Sequence, residues 1–176
     1  MDITEKAIEM LESNKISTTE VSDVLGKTGH IEGVHALTQG LYIAGEVVVM
    51  YAINNSNYEV HRQLSEIDIK GKVLFVYNVN CDKAIFGDLV SKYIMLYKRA
   101  KAIVVNGKLR DAHSLIKEKY PIWLKDVSPI GCVNRPNGPE IEESFYKYID
   151  EYFKKYPDLK NRVKFFGEIN DRKNYI

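Results

Sequence analysis

Residues 72–105 read KVLFVYNVNCDKAIFGDLVSKYIMLYKRAKAIVV, and the hydrophobic pattern changes twice within this segment. The β-branched and aromatic run Lys72–Tyr77 predicts a buried strand. A helix beginning at Gly87 is predicted from four apolar residues at helical spacing: Leu89, Tyr93, Ile94 and Tyr97. Ala102–Val105 predicts the next strand. Strand, helix and strand in this order are typical of a parallel βαβ unit.

The same alternation extends to both sides of this unit. Gly45–Tyr51 predicts an earlier buried strand, while a helix from about Arg110 to Lys119 and a strand at Ile122–Leu124 are predicted after it. We therefore expect an α/β fold with a partly parallel sheet and right-handed crossovers. Near the N-terminus two short helices are predicted, the second starting at a capping box, Ser17-x-x-Glu20.

Composition limits the classes of function. The 176 residues are 45% hydrophobic, which suits one domain over 1–176. With 25 Lys and Arg against 24 Asp and Glu, the formal charge is +1, so no broad field attracts nucleic acid or anionic lipid. Acidic residues near Met1 and the lack of any long apolar window argue against a signal peptide or membrane span, and we expect a cytoplasmic protein.

The two cysteines, Cys81 and Cys132, are far apart in the sequence and show no zinc-ligand spacing. Two such thiols suit a reducing cytosol, and Cys81 is expected to be an inert, partly buried thiol. The four histidines show no metal-ligand spacing either.

Two segments carry the candidate chemistry. Parallel sheets bind ligands beyond the carboxyl ends of their strands, and both Gly87-Asp88-Leu89 and Asn106–Asp111 are predicted to lie there. The first segment offers backbone amides for an anion. In the second, Arg110 can grip a carboxylate or enolate oxygen with two hydrogen bonds, and Asp111 can hold a hard divalent cation. The plainer alternative is that the acids only favour helix N-termini and that Arg110 is solvated.

An ordered set of motifs resembles the RraA-like family, which includes the regulator of ribonuclease E activity A and the class II 4-hydroxy-4-methyl-2-oxoglutarate aldolases. The resemblance covers about residues 17–132 and rests on four motifs: VSDVLGKTG at 21–29, AxxGDL at 84–89, VVNGxxRD at 104–111, and Ser128-Pro129. It implies a swivelling β/β/α domain assembled as a homotrimer or a hexamer.

In catalytic members of that family, a divalent metal helps to cleave a carbon–carbon bond next to pyruvate. The resemblance implies that Arg110 binds the pyruvyl oxygens and stabilises the enolate, and that Asp111 holds the metal, Mg²⁺ or alternatively Mn²⁺. Asp88 would orient the water that delivers a proton, and the amides around Gly87 to Leu89 would bind the substrate carboxylate.

The sequence departs from the family pattern in three places, one of which is that the strand Gly45–Tyr51 lacks the threonine often seen there. Twenty-one residues, 89–109, separate Asp88 from Arg110, one more than the family spacing, so we expect the junction at Lys98–Lys101 to bulge or shift. After Pro129 the family's later strands are replaced by a divergent extension, 139–176. There an apolar stripe over 141–153 predicts a helix, and 163–166 predicts a last strand.

These observations favour a metal-dependent lyase of the aldolase or decarboxylase type, acting on a small 2-oxo acid. One alternative is a non-catalytic regulator that binds an RNA-degrading enzyme. Another is a scaffold recruited to a different reaction on a sugar-derived acid. A methyltransferase is disfavoured, because no Gly-rich strand–turn–helix signature for a methyl-donor nucleotide is present.

Overall fold

The computed structural model describes residues 3–13 and 16–136, with positions 147, 150, 151 and 154. Five helices and five strands are described in this part of the chain. The helices are α1 (Ile3–Ser13), α2 (Thr18–Val24), α3 (Tyr58–Glu66), α4 (Asp88–Lys92) and α5 (Ala112–Lys117). The strands are β1 (His35–Ala36), β2 (Val47–Ile53), β3 (Val73–Val79), β4 (Ala102–Leu109) and β5 (Ile122–Val127). The predicted α/β class is confirmed.

The strands form one sheet in the order β1-β5-β4-β3-β2. β2 to β5 run parallel to one another, and the short β1 pairs antiparallel with β5. The carboxyl ends of the four parallel strands therefore gather at one edge of the sheet, where the loops that follow them meet.

The core consists of two rows of residues that cross the parallel strands. Register places Val48, Leu74, Ile103 and Ile122 in one row and Met50, Val76, Val105 and Leu124 in the next. All eight side chains are buried. They form one cluster with Val60 and Leu64 of α3, with Ile94 of the π-helical turn that follows α4, and with Leu115 of α5, so these helical segments pack against the sheet. The alternation of buried and partly exposed residues along β4 follows from the two-residue period of a strand.

The helix that begins with α4 continues into a wider, π-helical turn over Tyr93–Tyr97. The Lys98 amide donates to the Tyr93 carbonyl at 3.0 Å, and Arg99 then adopts a left-handed conformation with φ 55°. A π turn holds one more residue than an α turn. The wide turn at Tyr93–Tyr97 thus takes up an additional residue just before the junction at Lys98–Lys101, where a bulge or shift was expected, and within that junction Arg99 has the left-handed conformation.

Two predicted boundaries were wrong. Asn106 to Leu109 do not form the loop after β4 but extend that strand, after an irregularity in its pairing with β5 between Val105 and Lys108. The following helix begins at Ala112, so Arg110 and Asp111 lie in the turn between β4 and α5. The helix predicted over 141–153 lies outside the described residues except at positions 147, 150 and 151. The strand predicted over 163–166 lies wholly outside them.

The capping box at the start of α2 is confirmed. The Glu20 amide donates to the Ser17 hydroxyl at 3.2 Å, and the Ser17 amide donates to the Glu20 carboxylate at 2.7 Å. Gly26, Gly29 and Gly33 all have positive φ in the loop that follows. No helix among the described residues has the length and apolar character needed to cross a bilayer.

Candidate active site

The segment Ala84–Gly87 brings the two predicted site motifs together. Its backbone runs beside the end of β4: the Ile85 amide donates to the Lys108 carbonyl at 2.9 Å, and the Arg110 amide donates to the Phe86 carbonyl at 3.0 Å. Gly87 then begins α4 directly against the Arg110–Asp111 turn. The expectation that the fold places these motifs side by side is confirmed.

Gly87 is required by the closeness of its neighbours. A Cβ atom at this position would lie 2.1 Å from Asp111 Oδ2 and 2.6 Å from Arg110 Cγ. Real side-chain contacts do not reach such distances, because atomic overlap is strongly repulsive. The backbone of Gly87 is extended, with φ −140° and ψ −147°, so the need for glycine comes from contact with these two side chains.

The carboxylate of Asp111 binds the start of α4 and not the helix that Asp111 itself begins. Asp111 is the N-cap residue of α5, yet its side chain makes no capping hydrogen bond there and its φ is 59°. Its Oδ2 instead accepts a hydrogen bond from the Asp88 amide at 3.0 Å. This left-handed conformation directs the Asp111 carboxylate toward the Gly87–Leu89 motif. The Asp88 amide therefore already has a hydrogen-bond acceptor.

Arg110 lies beside this carboxylate with half of its side chain open to solvent. Its Nε is 3.8 Å from Asp111 Oδ2, and the side chains of Arg110 and Asp111 are 51% and 46% exposed. On the other side a Cβ at Gly131 would lie 2.9 Å from Arg110 Nη1. The guanidinium is therefore supported by backbone at Gly131 while remaining accessible to an anionic ligand.

Asp88 is anchored by Lys92, one helical turn later. Lys92 Nζ lies 2.9 Å from Asp88 Oδ2, and the hydrogen bond to this carboxylate raises the pKa of the Lys92 ammonium. The other oxygen, Asp88 Oδ1, is buried without a hydrogen-bond partner in this structure. A buried carboxylate oxygen of this kind is a ready acceptor for a water or ligand proton.

Two of these residues were missed from the sequence. The i,i+4 spacing of Asp88 and Lys92 on one helix was a usable signal for Lys92. Gly131 had no such signal, because only the tertiary fold brings it to Arg110. Leu89 lies in the first turn of α4 and is 81% exposed. It can therefore contribute its backbone to the site, whereas its side chain packs against little.

The donor set suits a hydrated hard cation. The described residues contain no group of three or more His, Cys, Asp and Glu side chains placed to hold a metal. Mg²⁺, however, commonly keeps several waters and takes only one or two carboxylates from the protein. A half-exposed Asp111, whose Oδ2 lies 3.0 Å from the Asp88 amide, fits that mode of binding.

Comparisons with known proteins agree with this architecture. A sequence profile of the RraA-like family, described as Aldolase/RraA, matches residues 18–144. An RNA-processing inhibitor RraA from Thermus thermophilis is 21% identical with a TM-score of 0.58, over 70% of this chain and 74% of that one. RraAS2 of Streptomyces coelicolor, an RNase ES inhibitor family member, is 23% identical with a TM-score of 0.58, over 70% and 65%.

A third similar structure has a different activity in its name. It is an S-adenosylmethionine: 2-dimethylmenaquinone methyltransferase from Geobacillus kaustophilus, 16% identical with a TM-score of 0.56, over 70% of this chain and 76% of that one. At these identities the three structures establish a shared fold, whereas their separate activities do not transfer to this chain.

Proposed function

The chain belongs to the RraA-like family of aldolases and RNA-processing regulators, and we propose that it is a divalent-metal lyase acting on small 2-oxo acids. The observation that carries the proposal is the convergence of Asp111, Arg110 and the Gly87–Asp88 turn, in which the Asp111 carboxylate lies 3.0 Å from the Asp88 amide. A carboxylate and a guanidinium in fixed geometry at one open site are what enolate chemistry requires.

Charge balance explains why a cation belongs there. The formal charges of Asp88, Lys92, Arg110 and Asp111 sum to zero, and Glu118 adds a negative charge near Lys92. An anionic 2-oxo acid therefore gains little net attraction from these side chains alone. Asp111 would hold the divalent cation, which when bound withdraws electrons from the 2-oxo group and stabilises the developing enolate.

The remaining roles follow from exposure and anchoring. The accessible guanidinium of Arg110 can donate two hydrogen bonds to the substrate carboxylate or enolate oxygen. The backbone at Gly131 limits the orientations of the Arg110 side chain. Asp88, fixed by Lys92, would orient the water that delivers a proton to the enolate carbon. The amides of Gly87 and Leu89 are left for the substrate carboxylate, since Asp111 already accepts from the amide between them.

Pyruvate release tests the proposal directly. Purified protein is assayed with oxaloacetate and with 4-hydroxy-2-oxo acids, with Mg²⁺ or Mn²⁺ and then with a chelator. Arg110→Lys keeps the charge but loses the bidentate fork, and Asp111→Asn keeps an oxygen that can accept from the Asp88 amide but loses the anion. Each should lower turnover about a hundredfold or more. Added Mg²⁺ should partly rescue Asp111→Asn and leave Arg110→Lys unrescued.

Matched variants separate chemistry from structure. Arg99→Lys and Glu66→Gln make the same kinds of change at exposed positions outside the site and should leave turnover unchanged. Asp111→Ala removes the amide contact as well as the charge, so a larger loss of stability than in Asp111→Asn would identify the capping contribution. Full activity in both Arg110→Lys and Asp111→Asn would refute the site. If no substrate releases pyruvate and the protein inhibits an RNA-degrading enzyme, the regulator hypothesis replaces the lyase.

We further propose that the protein assembles as a homotrimer or hexamer. Four large apolar residues of α4 and the π-helical turn are exposed to solvent in the single chain: Leu89, Tyr93, Leu96 and Tyr97 are 81%, 41%, 59% and 78% exposed. They belong to the helix that starts at Gly87. Burial of this surface in a symmetric assembly would remove apolar area from water and place a neighbouring subunit close to the site.

A further inference from the structure

The two cysteines, which fifty residues separate in the sequence, lie together in the fold. Cys81 follows β3, and Cys132 lies in the segment after β5. The backbone of that segment is fixed on two sides: the Cys132 amide donates to the Ala84 carbonyl at 2.8 Å, and the Val133 amide donates to the Asn55 carbonyl at 2.9 Å. The Cys81 sulfur in turn accepts a hydrogen bond from the Asn55 amide at 3.1 Å. The Cys132 sulfur lies 4.0 Å from the Lys83 carbonyl, two residues after Cys81, and the segments that carry the two thiols both bind the backbone of Asn55, so the thiols are neighbours in the fold. Neither thiol is in a disulfide.

The surroundings of the two sulfur atoms differ. Hydrogen bonds from the Cys132 thiol and from the backbone amides of Asn55 and Ser56 hold the pKa of the Cys81 thiol below its ordinary value. The same thiol–thiol contact, together with burial, raises the pKa of Cys132. Cys81 is therefore the favoured nucleophile of the pair, because its sulfur also accepts the hydrogen bond from the Asn55 amide at 3.1 Å. An ionised thiol is the nucleophile, so the pair is asymmetric in reactivity.

Cys81 can also be reached from solvent. It lines an open cleft of about 660 Å³ at the carboxyl edge of the sheet, together with polar side chains that include Asn78, Asn106 and Lys108. The Asn78 side chain donates to the Cys81 carbonyl at 2.8 Å and accepts from the Cys81 amide at 3.0 Å. The cysteine is thus held in place by its backbone, and the residue lines a cleft large enough for a small oxidant.

We propose that Cys81 and Cys132 are a peroxide-reactive thiol pair, with Cys81 as the attacking residue and Cys132 as the resolving residue. The Cys81 thiolate attacks one oxygen of hydrogen peroxide, so that an S–O bond forms, the O–O bond breaks, and the departing hydroxide takes up a proton. The Cys132 thiol then attacks the sulfenic sulfur. An S–S bond forms, the S–O bond breaks, and water leaves with the Cys132 proton. In total, two thiols and one peroxide yield one disulfide and two waters.

This thiol pair adjoins the lyase site proposed above, because Cys132 follows Gly131, which lies against Arg110, but its oxidation does not depend on that activity. It links the loop after β3 to the segment that pairs with Ala84. Cys81 was expected from the sequence to be inert, because no histidine is its neighbour along the chain. The partner that makes it a candidate for oxidation is supplied by the fold.

Thiol counting and intact mass after peroxide treatment test the proposal on the full-length, reduced protein. The wild type should lose both thiols together and about 2 Da of mass, as an intramolecular disulfide that dithiothreitol reverses. Cys132→Ser should stop at a sulfenic acid on Cys81, which dimedone traps. In Cys81→Ser the remaining thiol should react at least about tenfold more slowly than the wild-type pair, because the low-pKa thiol is missing.

Two results would overturn the proposal. One is an equal rate of Cys132 loss in Cys81→Ser and in the wild type. The other is oxidation of wild-type Cys81 to sulfinic acid without any disulfide. Circular dichroism checks that the serine variants fold. Should either variant not fold, the wild type alone decides: its thiols must react at least about tenfold faster in native buffer than in urea, since the pairing exists only in the folded chain.

Discussion

Gly87→Ala offers a steric test of the site, and its effect can be worked out from the structure. The new Cβ would lie 2.1 Å from Asp111 Oδ2, whereas an ordinary contact needs about 3.2 Å, so the carboxylate oxygen must retreat by about 1 Å. Asp111 is held in a left-handed turn on a short side chain, and a retreat of this size breaks its 3.0 Å hydrogen bond from the Asp88 amide. Arg110, with its Cγ at 2.6 Å from the same Cβ, must move as well.

The expected result is a large loss of activity with a small loss of stability. Misplacement of a catalytic group by about 1 Å costs on the order of a hundredfold in turnover. The unpaired Asp88 amide costs about 1–2 kcal/mol of folding free energy. Turnover is measured as pyruvate release in the presence of Mg²⁺, and stability as the free energy of unfolding in urea.

Gly71→Ala is the matched control. At Gly71 φ is +71° and no heavy atom lies within 4 Å of the added Cβ, so the cost is left-handed backbone strain of about 1 kcal/mol, far from the site. The two variants should therefore lose similar stability, while only Gly87→Ala loses activity. Wild-type turnover and metal dependence in Gly87→Ala would show that the placement of Asp111 does not matter for the reaction.

Two further predictions concern assembly and the buried ion pair of α3. Sedimentation should show a trimer or hexamer for the wild type and smaller species for Leu96→Asp, whereas a monomeric wild type at micromolar concentration would contradict the proposed assembly. Arg62→Met should lower the free energy of unfolding by about 2–4 kcal/mol, because Glu59, only 6% exposed, loses the guanidinium 2.7 Å away. Glu66→Gln removes the exposed partner of the same arginine and should cost less than about 0.5 kcal/mol in the same urea titration, so equal losses would contradict this assignment.

Much of the fold could be read from local sequence. Strands β2 to β5 each coincide with a β-branched or aromatic run, and α2 begins at its predicted capping box. The predicted ends of strands and helices were less accurate where the sequence lacks the usual strand-forming residues. Asn106 and Gly107 have low strand propensity, yet β4 continues beyond them because Lys108 and Leu109 pair again with β5 after a register shift.

The sequence by itself determined that Gly87–Leu89 and Arg110–Asp111 share one edge of the sheet, because parallel strands place their following loops on the same side. It could not determine which way Asp111 points. That direction depends on one left-handed φ angle, and the angle is stabilised by a hydrogen bond to an amide 23 positions earlier in the chain.

The pairing of Cys81 with Cys132 and the support of Arg110 by Gly131 were likewise decided by the tertiary structure alone. Periodicity and propensity report interactions within a few residues, and these were sufficient for the strands and helices. Contacts between distant segments depend on how the loops pack over the sheet edge. Each backbone hydrogen bond formed there restricts which other groups can pair. The chemistry of this protein lies in those contacts, which explains why its elements could be predicted more completely than its site.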